Sequence, residues 1–241
     1  MTPAPFAAFY FDCDSTLSEI EGVDELTRNL DPSTRRELQE LTQSAMEGAL
    51  PLADVYERRL AALAPSRRTL EDIGNSYIEH LVPDAASTLE ALRSLGKHVG
   101  IISGGLLQAV SALAKHLGIE DANVHAVPVI LDESGSYVDF DRKSPLWRNQ
   151  GKVHVLESLP DDRRPLLFMG DGVTDLEAQG TVDLFVGFGG VETRARVAEE
   201  AEVFVTRKSL AAVLDVGLTA EEKATLHSDP KFYDLLRNTR K

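Results

Sequence analysis

Apolar and polar positions along the chain follow two periods, and the switches between them divide it. Residues 6–11 form an apolar, aromatic-rich run of strand length that ends abruptly in Asp12-Cys13-Asp14-Ser15-Thr16. From about Glu21 to Glu79 the period becomes helical. Leu38, Leu41 and Ala45 recur behind Asp31-Pro32-Ser33, a good helix start. Leu52, Val55, Tyr56, Leu60 and Leu63 make a second apolar face ending at Pro65, and Ser66 caps a further helix over residues 67–80. The block carries no convincing strand and reads as a helical insert.

After Pro83 strands and helices alternate. Leu89, Leu92 and Leu95 line one helix, which Gly96 ends. His98–Ile102 reads as a buried strand, and Ser103-Gly104-Gly105 leads into a helix with Leu106, Val110, Leu113 and Leu117 inward. Val124–Leu131 and Tyr137–Phe140 look like a hairpin. A helix over 152–159 precedes the strand Leu166–Met169, which runs into Gly170-Asp171-Gly172. Two short strands follow, Leu184–Val186 and Val203–Val205. This rhythm predicts an α/β architecture with a mostly parallel sheet, in which ligands bind beyond the carboxyl ends of the strands. The expected organisation is a catalytic core of residues 1–18 and 80–218 and a small helical cap, 19–79, inserted after the first strand. A charged helical tail, 219–241, has Leu226, Tyr233 and Leu236 as its anchors.

Composition narrows the function. With 241 residues, 43% of them hydrophobic, the chain can bury a large core. No run of about 18 apolar residues is present to span a membrane. Met1-Thr2-Pro3-Ala4-Pro5 has neither the basic start nor the apolar stretch of a secretory signal. A formal charge of −14 argues against nucleic acid or anionic lipid as the main partner. The single cysteine, Cys13, cannot form an intramolecular disulfide and suits a reducing cytoplasm. The six histidines show no His-x-x-x-His pair, so zinc is not expected.

Three strands end in chemically suggestive groups: Asp12 and Asp14, then Ser103-Gly104-Gly105, then Asp171 with Asp175. Each alone has a bland reading, as a helix cap or a turn, and Lys152 alone reads as a surface lysine. Their common position after successive strands overturns those readings. Asp12, Asp171 and Asp175 supply hard anionic oxygens that suit Mg²⁺. Ser103 with the amides of Gly104 and Gly105 at a helix N-terminus offers donors to a phosphate, and Lys152 adds positive charge beside Asp12. A carboxylate so placed can attack phosphorus, and the second acid, Asp14, suits general acid and base work. A dinucleotide fingerprint and a P-loop both fail, the first for want of a third glycine, the second because Leu146 and Val153 stand where glycine and Ser or Thr are needed.

Asp12-x-Asp14-x-Thr16, Ser103, Lys152 and Gly170-Asp171-Gly172-x-x-Asp175, in that order, resemble the motifs of the haloacid dehalogenase superfamily of phosphatases. Within it the chain is similar to the phosphoserine phosphatase family. The similarity rests on Glu21-Gly22-Val23-Asp24-Glu25-Leu26, Ala45-Met46-Glu47-Gly48, Glu57-Arg58-Arg59-Leu60, Ile102-Ser103-Gly104-Gly105 and Gly187-Phe188-Gly189-Gly190. It runs over roughly residues 8–210; the segment 144–149 and the tail have no counterpart in it.

The resemblance implies a Rossmann-like core. Asp12 would be the nucleophile and Asp14 the general acid/base. Mg²⁺ would be held by Asp12, the main-chain carbonyl of Asp14 and Asp171, with Asp175 beside it. Ser103, Gly104, Gly105 and Lys152 would hold the phosphate. Glu21 would meet a substrate ammonium and Arg59 its carboxylate, with Met46, Gly48 and Thr174 also at the substrate. The implied activity is hydrolysis of L-phosphoserine, a small phosphorylated metabolite, to L-serine and phosphate in serine biosynthesis. The alternatives are another small-metabolite phosphatase or phosphotransferase, acting on a methionine-salvage sugar phosphate or with homoserine as acceptor, and a non-catalytic binding protein of the same fold. The oligomeric state, a dimer among the options, is not written in the sequence.

Overall fold

The computed structural model describes residues 5–46 and 52–239. The first strand, β1 (Ala8–Phe11), is buried on both faces along its whole length, as its unbroken apolar run requires of a central strand in a parallel sheet. The chain then runs through α1 (Gly22–Glu25), α2 (Pro32–Met46), α3 (Leu52–Leu63) and α4 (Arg67–Glu79). Asp31 opens α2 by accepting from the amides of Ser33 and Thr34 at 3.0 and 3.1 Å, and Ser66 opens α4 by accepting from the amide of Thr69 at 3.3 Å.

The remainder alternates. In chain order come α5 (Ala85–Ser94), β2 (His98–Leu106), α6 (Leu107–His116), β3 (Val124–Val127), β4 (Val129–Leu131), β5 (Tyr137–Phe140), α7 (Gly151–Ser158) and β6 (Leu166–Gly170). Then follow α8 (Val173–Leu176), β7 (Leu184–Phe188), α9 (Ala195–Glu200), β8 (Val203–Val205), α10 (Ala212–Gly217), α11 (Ala220–His227) and α12 (Tyr233–Asn238). Six strands form one parallel sheet in the order β3-β2-β1-β6-β7-β8. The chain builds outward from β1 on one side and from β6 on the other. The order therefore reverses between β1 and β6, which opens a crevice at their carboxyl ends. Phe11, Ile101, Met169 and Val186 are in register across four strands. Residues just past this row emerge side by side.

Three expectations change. β2 runs through Ser103-Gly104-Gly105 to Leu106, so these residues lie on a strand and α6 begins only at Leu107. The stretch 124–131 is two strands: β3 joins the main sheet in parallel, and only β4 makes the antiparallel hairpin with β5. Pro128, with no N–H to continue a ladder, separates them. In the tail, Leu226, Phe232, Leu235 and Leu236 are buried while Tyr233 is 48% exposed, so Phe232 takes the anchoring place assigned to Tyr233. An ion pair between Lys97 and Glu222 ties the tail to the start of β2.

Segment 144–149 has a packing role. Trp147 stacks edge-to-face on Phe140 with centroids 5.2 Å apart, and Phe140 does the same to Tyr56 of α3 at 5.5 Å. Arg142 pairs with Glu57 on the same helix. The Tyr56 hydroxyl donates to the carbonyl of Gly104 at 3.0 Å, so α3 is bound directly to the end of β2.

Candidate active site

Immediately past β1 the backbone amide of Asp12 still donates to the Met169 carbonyl at 2.9 Å, so the first acid leaves the sheet beside β6. Lys152, on α7 and 6% exposed, reaches into the crevice. Its Nζ lies 2.7 Å from Asp12 Oδ1 and 2.5 Å from Asp175 Oδ1. Burial pulls down the lysine's affinity for its proton, but the two carboxylates overcome this and raise its pKa, so it stays charged. Asp175 also accepts from the amide of Gly172 at 2.8 Å. A Cβ at position 170 would sit 2.3 Å from the Asp175 carboxyl carbon, so glycine there lets this acid fold back beneath β6.

Asp171 is likewise buried. Its Oδ1 accepts from Thr16 Oγ at 3.2 Å and its Oδ2 from Arg194 Nε at 2.9 Å. Burial and the charge of Asp12 push the Asp171 and Asp175 carboxyls up from the ordinary carboxylate range. Carboxylate oxygens of Asp12, Asp171 and Asp175 lie within 4.8 Å of one another. Asp12 Oδ1 is buried and lacks a partner in hydrogen-bond geometry, despite the nearby ammonium. Three buried oxygen ligands with net negative charge fit a hard divalent cation such as Mg²⁺.

Asp14 points the other way. Its Oδ1 accepts from the amide of Gly22 at 2.6 Å and from the Tyr77 hydroxyl at 2.7 Å; its Oδ2 faces Ser103 Oγ at 3.4 Å. Burial, and then the charge of Asp12, raise its pKa. Ser15 holds a left-handed backbone (φ 50°) between the two loop ends, and its hydroxyl donates to Glu21 Oε1 at 2.8 Å. Glu21 thus lies in the same crevice. Burial, with the charges of Asp14 and Asp171, pushes it up to about 8.

A model of the haloacid dehalogenase-like hydrolases matches residues 6–179. The chain belongs to the haloacid dehalogenase-like hydrolases. It is 34% identical over 201 residues to the phosphoserine phosphatase of Mus musculus, covering 83% of this chain and 88% of the relative. The human phosphoserine phosphatase is 33% identical over the same shares. A phosphoserine phosphohydrolase-like protein from Francisella tularensis shares the fold, with a TM-score of 0.73 at 22% identity over 91% of this chain and 98% of its own. The chain is an enzyme, a phosphoserine phosphatase-like phosphoric monoester hydrolase. No helix among the described residues is long and apolar enough to cross a membrane.

In this haloacid dehalogenase-like crevice the structure brings together Asp12, Asp14, Glu21, Ser103, Lys152, Asp171 and Asp175. Gly105 directs its amide to Ser103 Oγ at 2.9 Å, and Gly104 gives its carbonyl to Tyr56, so the two glycines already have partners within the chain. Thr174 is half-buried in the first turn of α8, next to Asp175. Arg59 projects from α3 with its side chain 16% exposed, paired with Asp24, while its buried Nε has no partner. Met46 is the last residue of α2, and Gly48 lies outside the described residues.

Two crevice residues escaped the sequence reading. Arg194 contacts Asp171, Glu21 at 3.2 Å and Glu192 at 3.0 Å, filling with its guanidinium a second group of three carboxylates. Its signal was available, since the loop after β7 opens at the same edge of the sheet. Tyr77 had none, because it reads as an ordinary apolar position on α4.

Proposed function

We propose that this chain is a Mg²⁺-dependent phosphatase that converts L-phosphoserine to L-serine and phosphate through an aspartyl-phosphate on Asp12, the closing step of serine biosynthesis in the cytoplasm. The observation that carries this reading is Lys152 clamped between Asp12 and Asp175 beside Asp171, with a second acid, Asp14, held separately by its own donors. Asp12 is the nucleophile because its buried Oδ1 lies against the fixed positive charge of Lys152. Asp14, whose pKa burial raises, gives a proton to the leaving oxygen and then takes one from water. Ser103 and Lys152 hold the phosphoryl oxygens, with the backbone of Gly104 and Gly105 shaping that end of the pocket.

Asp12, Asp171 and the main-chain carbonyl of Asp14 would hold Mg²⁺, with Asp175 beside it. The ion would neutralise charge accumulating at the phosphoryl group. Glu21, whose ionised form a substrate ammonium would favour, and the buried, unpartnered Nε of Arg59 are the anionic and cationic anchors that an amino acid phosphate needs. Met46, Gly48 and Thr174 are further residues assigned to the substrate by the likeness to phosphoserine phosphatases. Residues 19–79 act as a cap over a core of 1–18 and 80–218, with 219–241 a docked tail, and closing the cap excludes water before the phosphoenzyme forms. Likeness to phosphoserine phosphatases over 201 residues supports the choice of substrate.

Steady-state rates across a panel of phosphomonoesters, with and without Mg²⁺ and with serine and homoserine as acceptors, test the proposal. Phosphoserine is expected to exceed generic esters in kcat/KM. A rate on phosphoserine no better than on a generic ester overturns the substrate assignment.

A further inference from the structure

Asp14 is gripped by a residue that belongs to no motif. Tyr77, 1% exposed on α4, donates to Asp14 Oδ1 at 2.7 Å, and the Gly22 amide donates to the same oxygen at 2.6 Å. The two donors are fitted to each other. A Cβ on residue 22 would lie 2.0 Å from the Tyr77 hydroxyl oxygen, so only glycine leaves room for both. The tyrosine's backbone is fixed as well, because Ser18 Oγ donates to the Tyr77 carbonyl at 3.1 Å and to that of His80 at 3.0 Å. The loop carrying the catalytic acids and the helix carrying Tyr77 are thus tied together at both ends of the residue.

An oxygen accepting two short hydrogen bonds has no room left for a proton of its own. The proton Asp14 exchanges must then sit on Oδ2, the oxygen facing Ser103 and the phosphate end of the crevice. We propose that Tyr77 is a positioning residue that, with the Gly22 amide, engages Asp14 Oδ1 and so commits Oδ2 to proton transfer. This rests on the reading of Asp14 as general acid/base.

In the first step an Asp12 oxygen bonds to phosphorus as the phosphorus–oxygen bond to the alcohol breaks. The Oδ2 proton passes to the departing oxygen, which leaves Asp14 ionised. In the second step Oδ2 takes a proton from the water whose oxygen bonds to phosphorus as the bond to Asp12 breaks. Both transfers use one oxygen, which must be held toward the leaving group.

The test compares an alkyl ester, whose leaving oxygen needs a proton, with an aryl ester, whose nitrophenolate does not. Single-turnover rates of phosphoenzyme formation are measured for phosphoserine and p-nitrophenyl phosphate in the wild type, Tyr77→Phe and Asp14→Asn. For Tyr77→Phe the alkyl-to-aryl rate ratio should fall about tenfold or more, and for Asp14→Asn further still. A structural loss would lower both rates together and leave the ratio unchanged. A lowered ratio in Asp14→Asn with an unchanged one in Tyr77→Phe overturns the role of Tyr77 alone. An unchanged ratio in both overturns the general-acid reading of Asp14, and with it this inference. Should Tyr77→Phe fail to fold, Gly22→Ala, which displaces the hydroxyl while keeping it, must give the same split.

Discussion

Arg194 Nε donates to Asp171 Oδ2 at 2.9 Å, tying the loop after β7 to the acid that follows β6. The Arg194 side chain is 22% exposed and that of Asp171 3%, so a positive charge of the chain itself offsets part of the charge crowded into the crevice. Replacing it by Gln leaves a buried carboxylate without a counter-ion, which costs about 1–3 kcal/mol. The metal-free Arg194→Gln variant is expected to melt below the wild type, and Mg²⁺ to raise its Tm by more. Differential scanning calorimetry checks both. Equal shifts with Mg²⁺ would mean Arg194 and the metal act independently.

Asp12→Asn should remove turnover by roughly three orders of magnitude or more, because an amide does not attack phosphorus. Lys152 keeps its contact with Asp175, so the fold should persist. Trapping with labelled phosphoserine should yield a phosphoenzyme in the wild type and none in the variant. Label on Asp12→Asn would place the nucleophile elsewhere.

Arg59→Ala should separate esters by their substituents. If its buried, unpartnered Nε meets the substrate carboxylate as proposed, its loss should lower kcat/KM for phosphoserine roughly tenfold or more, and that for phosphoethanolamine, which lacks the carboxylate, far less. Equal losses on the two would assign Arg59 to its Asp24 pair instead.

The crowded acids also set a pH dependence. Burial, with neighbouring negative charge, pushes Asp171 up to about 6 and Asp175 and Glu21 up to about 8. The folded protein therefore binds these protons more tightly than the unfolded chain, and stability falls as the pH rises from about 4 toward 8. Metal-free Tm should decline between about pH 5.5 and 8.5. The Tm gain on adding Mg²⁺ should be larger at the upper end, since the ion binds the ionised acids. A Tm gain independent of pH would show that the ion does not use this cluster.

Much of the fold was legible because its signals are local. The apolar run before Asp12 and the helical period of Val55, Tyr56, Leu60 and Leu63 each report burial within one element, and the Ser66 cap marks where the next helix starts. The hairpin misreading and the early end of β2 share another origin. Periodicity does not distinguish parallel from antiparallel partners, and Gly104-Gly105 reads as a break although the strand continues through it. The exchange of Tyr233 for Phe232 as an anchor is a shift by one residue at a turn that no period fixes.

By itself the sequence determined that acids and a Ser-Gly-Gly segment stand at the carboxyl ends of strands in a parallel sheet, and hence that they meet at one edge. Which oxygen of each acid is engaged, and by whom, was decided only in the tertiary structure. Tyr77 lies 63 residues from Asp14, and Arg194 lies 173 from Glu21. Each contact depends on how a helix or loop seats against the crevice, and no local pattern encodes that distance. The sequence placed Asp12 and Asp14 side by side; packing gave one a lysine and the other a tyrosine.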